Sequence, residues 1–441
     1  MPSAIRRISP EENVRLTRVG AGTPMGEVFR RYWMPVCLSE EVPTPDCPPV
    51  RLRILGEDLI AFRDTNGTVG LIDAYCAHRR APLFFGRNEE CGLRCVYHGW
   101  KYDVHGNCVD LPPEPPTSKM LRRVHLKAYP THEAGRLVWA YMGPPEERTD
   151  PPDYEWLRVP LESVRVSKCI QSSNFLQAIE GGIDTAHVSY MHNNHMNDRN
   201  QLGVIDKRPR LEVEITDHGF RYVGIRNVTE DQLYVRGYQY IMPNQKLQGA
   251  FLSLFGDVST AEGDLNEVMR EKVPNVYGHV WVPIDDENTV VYTMRYSKNV
   301  GEPFPEEYWI ARETSSGRGP DDYVPGTFYL KKNLANDYEI DRELQARESF
   351  TGITGINTQD VAIQEGMGPI VDRSLEFPGT TDRAICAARE LLLEAADDVE
   401  AGRKPRAADP ADSRDVRAAD VVIPADADWH DLMDAQFTAE W

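Results

Sequence analysis

Cys76-Ala77-His78 and Cys95-Val96-Tyr97-His98, with 16 residues between them, are the stretch from which the rest of this chain is read. Two thiolates and two imidazoles offered as mixed Cys/His pairs are the ligand set of a [2Fe–2S] centre in which histidines replace cysteines on one iron. Neutral imidazoles in place of thiolates lower the negative charge at that iron and raise the reduction potential, so the site reads as an electron relay. A Cys₂His₂ zinc site uses the same inventory. Zinc fingers usually pair Cys with Cys and His with His, and Gly99-Trp100-Lys101-Tyr102 after the second pair is strand-like, which favours iron–sulfur. Cys91 is the alternative thiolate closest in sequence to Cys95.

Apolar runs surround the motif. Leu52–Leu55, Leu59–Phe62 and Val69–Ile72 read as short strands, and Thr65-Asn66-Gly67-Thr68 carries the Asn-Gly signal of a tight hairpin. The first Cys/His pair follows directly. Leu93–Tyr97 leads into the second pair, and His105-Gly106-Asn107 reads as another turn. Both pairs then lie at neighbouring hairpin tips, where backbone N–H groups can point at cluster sulfurs. The Pro-rich run from Gly143 to Pro152 is the best domain boundary.

At 441 residues the chain exceeds the roughly 250–300 at which single cores stop growing, so two domains and a tail are expected. A net charge of −20 argues against nucleic acid or an anionic membrane as partner. No apolar run approaches the ~18 residues of a membrane span, and Met1 to Glu12 is polar, so a cytoplasmic location is expected. The remaining cysteines, Cys37, Cys47, Cys91, Cys108, Cys169 and Cys386, have no regular spacing and are expected to be free.

Beyond the boundary, Val164–Ile170 reads as a strand and Asn174 to about Met191 as a helix. Strand candidates run from Leu211 to Tyr296, interrupted by the polar stretch 256–274, and helical patterns return at about 329–348, 358–366 and 379–400. This pattern is α+β with an antiparallel sheet. From about Ala401 the chain is Ala/Asp/Pro-rich, as expected of a tail wrapping the surface or a neighbour. The first helix ends in a second concentration of metal-binding side chains, His187, His192 and His195. His187 and His192 are about 140° apart on a regular helix, so they share a metal only if the helix ends or bulges between them. His192 and His195, three apart, are the competing pair.

Cys-x-His with Cys-x₂-His, followed by Asp184-x₂-His187-x₄-His192, resembles the oxygenase component of the Rieske non-haem iron aromatic-ring hydroxylases, over roughly residues 20–375. Arg30-Arg31-Tyr32-Trp33-Met34-Pro35-Val36, Asn174 through His192, and Gly355 through Glu365 most resemble the phthalate dioxygenase group. The resemblance implies an all-β Rieske domain and a helix-grip catalytic domain with a central antiparallel sheet, in a homotrimer or a dimer of trimers. The expected segments are 1–40 packing on the catalytic domain, 41–145 the Rieske domain, 146–400 the catalytic domain and 401–441 the tail. Cys76, His78, Cys95 and His98 would hold the cluster. His187, His192 and Asp360 would hold a mononuclear Fe(II), three protein ligands on one face leaving positions for dioxygen. Glu365 is the rival carboxylate, and Asp360 also reads as an acidic first-turn residue behind a cap at Thr358. Asp184 matches the aspartate that joins a mononuclear-iron histidine to the Rieske histidine of an adjacent subunit. Ala81 and Tyr97 stand where respiratory Rieske proteins have an extra disulfide, which implies the low-potential type.

Gly20 to Gly26 is the nearest glycine cluster to a nucleotide fingerprint, but it lacks a preceding strand and the right spacing. Electrons are therefore expected from a separate flavin and iron–sulfur reductase. An aromatic carboxylate substrate calls for a cation at the pocket. Arg221 and Arg226 face opposite sides of a strand, so at most one serves; Arg226 is the first choice and Arg236 the second. Cis-dihydroxylation of an aromatic acid such as a phthalate leads, O-demethylation of a methoxylated acid is the alternative, and a pure electron carrier would leave the second half of the chain without purpose.

Overall fold

A computed structural model describes residues 5–194, 202–249, 275–297, 303 and 305–439. His195 and the stretch 256–274 lie outside them. The chain divides into two compact units, Met1–Arg18 with Pro152–Trp441, and Val19–Pro151. Helix α1 (Pro10–Thr17) goes with the larger unit.

The smaller unit contains α2 (Pro24–Phe29) and strands β1 (Trp33–Leu38), β2 (Val50–Ile54), β3 (Glu57–Arg63), β4 (Val69–Asp73), β5 (Arg87–Glu89), β6 (Gly92–Arg94), β7 (Lys101–Tyr102), β8 (Cys108–Asp110), β9 (Ala128–Tyr129), β10 (Thr131–Ala134) and β11 (Leu137–Tyr141). They form sheets ordered β1-β11-β10, β2-β3-β4-β9 and β5-β6-β7-β8. The β3–β4 hairpin turns at Gly67, φ +85°, where the Asp64 carboxylate accepts the N–H groups of Asn66 and Thr68 at 3.0 and 2.8 Å. The expected boundary at residue 40 moves to 18, because β1 pairs with β11 and so ties Val19–Leu38 to this unit.

The larger unit is built on β12 (Val164–Gln171), β13 (Arg210–Thr216), β14 (Gly219–Asn227), β15 (Gln232–Ile241), β16 (Gln245–Gly249), β17 (Asn275–Pro283), β18 (Thr289–Ser297) and β19 (Asp420–Pro424). Their order is β12-β18-β17-β16-β15-β14-β13, all antiparallel, with β19 alongside β15. Among its helices are α3 (Phe175–Ile183), α4 (Glu306–Ser316), α5 (Ile356–Gly366), α6 (Arg383–Glu400) and α7 (Trp429–Met433). No described helix is long and apolar enough to cross a membrane.

Three expectations are corrected. Helix α3 stops at Ile183, not Met191, because Asp184 leaves helical space at φ −57°, ψ +132°. Residues 329–348 are not one helix: 3₁₀ turns at Leu334–Glu339 are broken where Asp337 and Tyr338 take left-handed backbone, and only Arg342–Arg347 is α-helical, capped by Asp341. The segment after 401, expected as a separate tail wrapping the surface or a neighbour, is part of the larger unit, since β19 pairs with β15 and Trp429, Met433 and Phe437 are buried against Val223, Ile225 and Val235. Helix α4 was not anticipated; it runs from Pro305 to the left-handed cap Gly317, φ +80°.

Candidate metal centres and substrate cavity

The two Cys/His loops of the smaller unit fold alike. In each, the cysteine C=O accepts the N–H four residues on, Arg80 to Cys76 and Gly99 to Cys95, both at 2.9 Å. The cysteine N–H in turn donates to the residue five on, Ala81 at 2.9 Å and Trp100 at 2.8 Å. Closing such a turn requires positive φ at the fourth residue, +58° at Arg80 and +77° at Gly99. Cys76 and Cys95 are buried among Ile60, Leu83, Leu93 and Tyr102, whereas His78 is exposed and His98 half-buried. The two Nδ1 atoms are 3.1 Å apart, and His78 stacks on Trp100. Burial raises the Cys95 thiol pKa, opposed by the N–H groups of Tyr97 and His98 that point at its sulfur. The Tyr102 hydroxyl lies 3.2 Å from the Cys76 sulfur. Two buried sulfurs, one met by backbone N–H groups and the other by the Tyr102 hydroxyl, and two imidazoles toward solvent suit a [2Fe–2S] centre. Cys91 is engaged elsewhere, accepting from Asn66 Nδ2 at 3.2 Å, and none of the eight cysteines forms a disulfide.

In the larger unit the end of α3 lets the chain turn, so that His187, in a short 3₁₀ turn, and His192 face each other. Their Nε2 atoms are 3.1 Å apart, and Asp360 Oδ1 on α5 lies 3.6 and 3.3 Å from them. Donors ~2.1 Å from one ion and about 90° apart stand ~3.0 Å from each other. These three atoms therefore fit one ion on one face. The outer ring nitrogens are held as a metal site requires. His187 Nδ1 lies 3.4 Å from Asp184 Oδ2, and His192 Nδ1 lies 2.8 Å from Gln359 Oε1. Gln359 Nε2 already donates to Asn194 Oδ1 and the Ile353 C=O, which leaves its oxygen to accept from His192 Nδ1–H, so that the neutral ring offers Nε2 to a metal. Asp360 Oδ1 is buried and accepts no hydrogen bond, an orphaned anion that a cation would satisfy. Burial raises its pKa, but His192 and His187 beside it hold it below the usual carboxylate range.

Asp360 is not a first-turn residue. The cap of α5 is Gly355, so Asp360 stands in the second turn. The rival Glu365 accepts from the Ser172 N–H at 2.7 Å and from the Tyr338 hydroxyl, away from the histidines. Asp184 caps α3; its Oδ1 accepts the Ala186 N–H at 2.7 Å and its Oδ2 faces His187. Burial raises its pKa, and the contact with His187 brings it below the usual range.

A cavity beside the three ligands is lined by Asp184, His187, His192 and Asp360 and by the basic side chains Arg236, Lys246, Arg295 and Arg312. Arg226, the first-choice carboxylate anchor, is not on its wall. Its side chain is buried and its Nη2 donates to the Thr185 C=O at 2.6 Å, so it braces the turn carrying the histidines. Sequence reasoning missed Lys246, Arg295, Arg312 and Gln359. Register alone would have found the first two, since Tyr238, Gln248, Tyr277 and Arg295 form one cross-strand row, and Lys246 shares their face.

An imidazole-bearing iron–sulfur motif and a two-histidine, one-carboxylate cluster define a class, and comparison with known proteins places the chain in it. Residues 32–130 match the Rieske [2Fe-2S] domain, and residues 140–250 and 270–440 match the family described as LigXa C-terminal domain like. The chain belongs to the Rieske non-haem iron oxygenases, and it is an oxidoreductase with a Rieske cluster and a mononuclear iron as cofactors. It is 37% identical to the phthalate 4,5-dioxygenase oxygenase subunit of Pseudomonas putida over 98% of both chains. It is 34% identical to the 3-chlorobenzoate-3,4-dioxygenase oxygenase subunit of Comamonas testosteroni over 95% of this chain and 96% of that one. The 5,5'-dehydrodivanillate O-demethylase oxygenase subunit of Sphingobium sp. is 31% identical over 91% of this chain and 83% of that one.

Proposed function

We propose that this chain is the terminal oxygenase of a multicomponent system and cis-dihydroxylates an aromatic carboxylate, consuming O₂, two electrons and two protons per diol. The observation that carries this reading is the concentration of Arg236, Lys246, Arg295 and Arg312 on the cavity beside the three metal-binding side chains. Cations in a half-enclosed cavity select anions, and the relatives named for phthalate and 3-chlorobenzoate act on aromatic acids. Cys76, His78, Cys95 and His98 hold the cluster, and His187, His192 and Asp360 hold the iron. Bound iron there supplies dioxygen activation. The protein's part is to hold the two imidazoles by Asp184 and Gln359, to keep Asp360 ionised and to seat the acid alongside.

Electrons arrive from a flavin and iron–sulfur reductase, and Asp184 links His187 to the cluster histidine His98 of a neighbouring copy in a homotrimer or a hexamer of two trimers. Oxygen uptake with a panel of benzoates, phthalates and methoxybenzoates, with a reductase of that type, tests the reading. A diol product is expected; no coupled uptake with any aromatic acid would overturn it. O-demethylation is the second reading, favoured by the similarity to a named O-demethylase subunit, and phenol with formaldehyde in place of diol would establish it.

A further inference from the structure

Lys246 lies on β16, in Asn244-Gln245-Lys246-Leu247-Gln248, with a buried side chain. The register pairs Tyr240 with Lys246 and Tyr238 with Gln248, so alternation puts Arg236, Tyr238, Tyr240, Lys246 and Gln248 on one face of the sheet. Arg236 and Lys246 both stand against the Tyr238 ring, 5.3 and 5.5 Å from its centroid. That ring is immobile: it stacks on Tyr222 at 4.5 Å, and its hydroxyl bonds Thr185 Oγ1 at 2.7 Å.

The hydrogen-bond acceptors of this pair of cations are neutral. Lys246 Nζ donates to the Gly182 C=O and Gln248 Oε1, and Arg236 Nε donates to the Gly249 C=O at 2.8 Å. Neither forms an ion pair with a carboxylate among the described residues, although Asp420, opposite Arg236 in the β15–β19 pairing and bonded to the Tyr234 hydroxyl at 2.9 Å, attracts the guanidinium. Asp184 and Asp360, the acids on the same cavity wall, are turned to His187 and His192. Lys246, buried beside a second cation with only carbonyl oxygens as acceptors, is the costly member, and an anion reaching both side chains relieves it.

Resting on the aromatic-acid reading above, we propose that the substrate carboxylate is seated between Lys246 and Arg236, making Lys246 a specificity-determining residue of the cavity. Burial, and after it Arg236, pushes the Lys246 amine down to about 7. The other titratable groups facing it are Tyr238 on β15, His279 on β17, Asp184 beyond α3 and Asp360 on α5. A carboxylate at Nζ restores the ammonium form, so binding takes up protons near and above pH 7 and tightens as pH falls through it.

The test is calorimetric titration of the metal-loaded protein without oxygen or reductant, so that binding and not turnover is read. Phthalate and 3-chlorobenzoate are compared with dimethyl phthalate and 3-chlorobenzamide, in wild type, Lys246→Met, Lys246→Arg and Arg236→Gln proteins with unchanged cluster absorbance. Loss of one charge-assisted contact is expected to weaken binding of the acid roughly ten- to a hundred-fold in Lys246→Met and Arg236→Gln, with recovery in Lys246→Arg and no such change for the ester or amide. Wild-type acid binding repeated in buffers of different ionisation enthalpy is expected to show proton uptake, a readout that needs no variant. Full affinity in Lys246→Met beside a weakened Arg236→Gln removes Lys246 from the acid subsite while leaving the aromatic-acid reading standing. A wild-type protein that binds acid and neutral analogue alike overturns that reading itself.

Discussion

Gln359 and Asp360 are neighbours on one helix with opposite duties: one fixes the ring of His192, the other presents a bare carboxylate oxygen to it. His187→Ala, His192→Ala and Asp360→Ala are each expected to lower bound iron from about three to about two per chain, the remainder in an intact Rieske cluster. Glu365→Gln should keep all of it, because Glu365 is spent on Ser172 and Tyr338. Iron analysis with visible absorbance distinguishes the two outcomes. Asp184 makes a subtler demand, since it touches His187 without standing among the ligand atoms. Asp184→Asn should retain both metals yet slow oxidation of the reduced cluster in a single turnover by about a hundredfold or more. A near-normal rate would reduce Asp184 to a helix cap.

Helix α3 shows how an element places these residues. Gly181 and Gly182 are poor helix formers, but a Cβ on Gly181 would lie 2.1 Å from Gln364 Nε2 and one on Gly182 2.3 Å from Trp281. Gly182 lets the helix press onto the Trp281 ring of β17, whereas the end of the Gln364 side chain on α5 can move aside from a Cβ at Gly181. One residue earlier, Glu180 accepts from Arg373 Nε at 2.8 Å and Arg389 Nε at 2.6 Å in a buried cluster tying α3 to α6. Burial raises the Glu180 pKa, yet the two guanidinium groups hold it below the usual glutamate value. A depressed folded-state pKa means stabilisation that is present above about pH 4.3 and lost as pH falls through the folded value. Glu180→Gln should cost ~3–5 kcal/mol at neutral pH by stranding the buried Arg373, whereas Arg389 keeps Glu376 at 2.8 Å. Its melting temperature should also fall less steeply than that of wild type on acidification, which thermal melts from about pH 5 down to about pH 3 would reveal.

At the scale of the molecule, the last forty residues belong to the larger core. Phe437 is 5% exposed and seals the outer face of β15 with Trp429 and Met433. Phe437→Ala should destabilise that unit by ~3–5 kcal/mol in denaturant unfolding followed by tryptophan fluorescence, with cluster absorbance retained in the folded protein. A composition rich in Ala and Asp hid this strand, because its apolar residues are few and their burial depends on a partner strand about 190 residues away. The same division runs through the whole chain. Spacing alone identified the paired Cys/His loops, since each pair is local and the turn that presents it is written in the neighbouring residues. The two histidines after α3 were legible for the same reason, although where the helix ended was not: Asp184 leaves helical backbone where nothing in local propensity demands it. Only tertiary structure separated Asp360 from Glu365, turned Arg226 away from the cavity and brought Arg236 and Lys246 onto one tyrosine. Those outcomes depend on helix packing and strand register, which join residues tens to hundreds of positions apart, and a side chain's face in a sheet is set by its partners as much as by its own sequence.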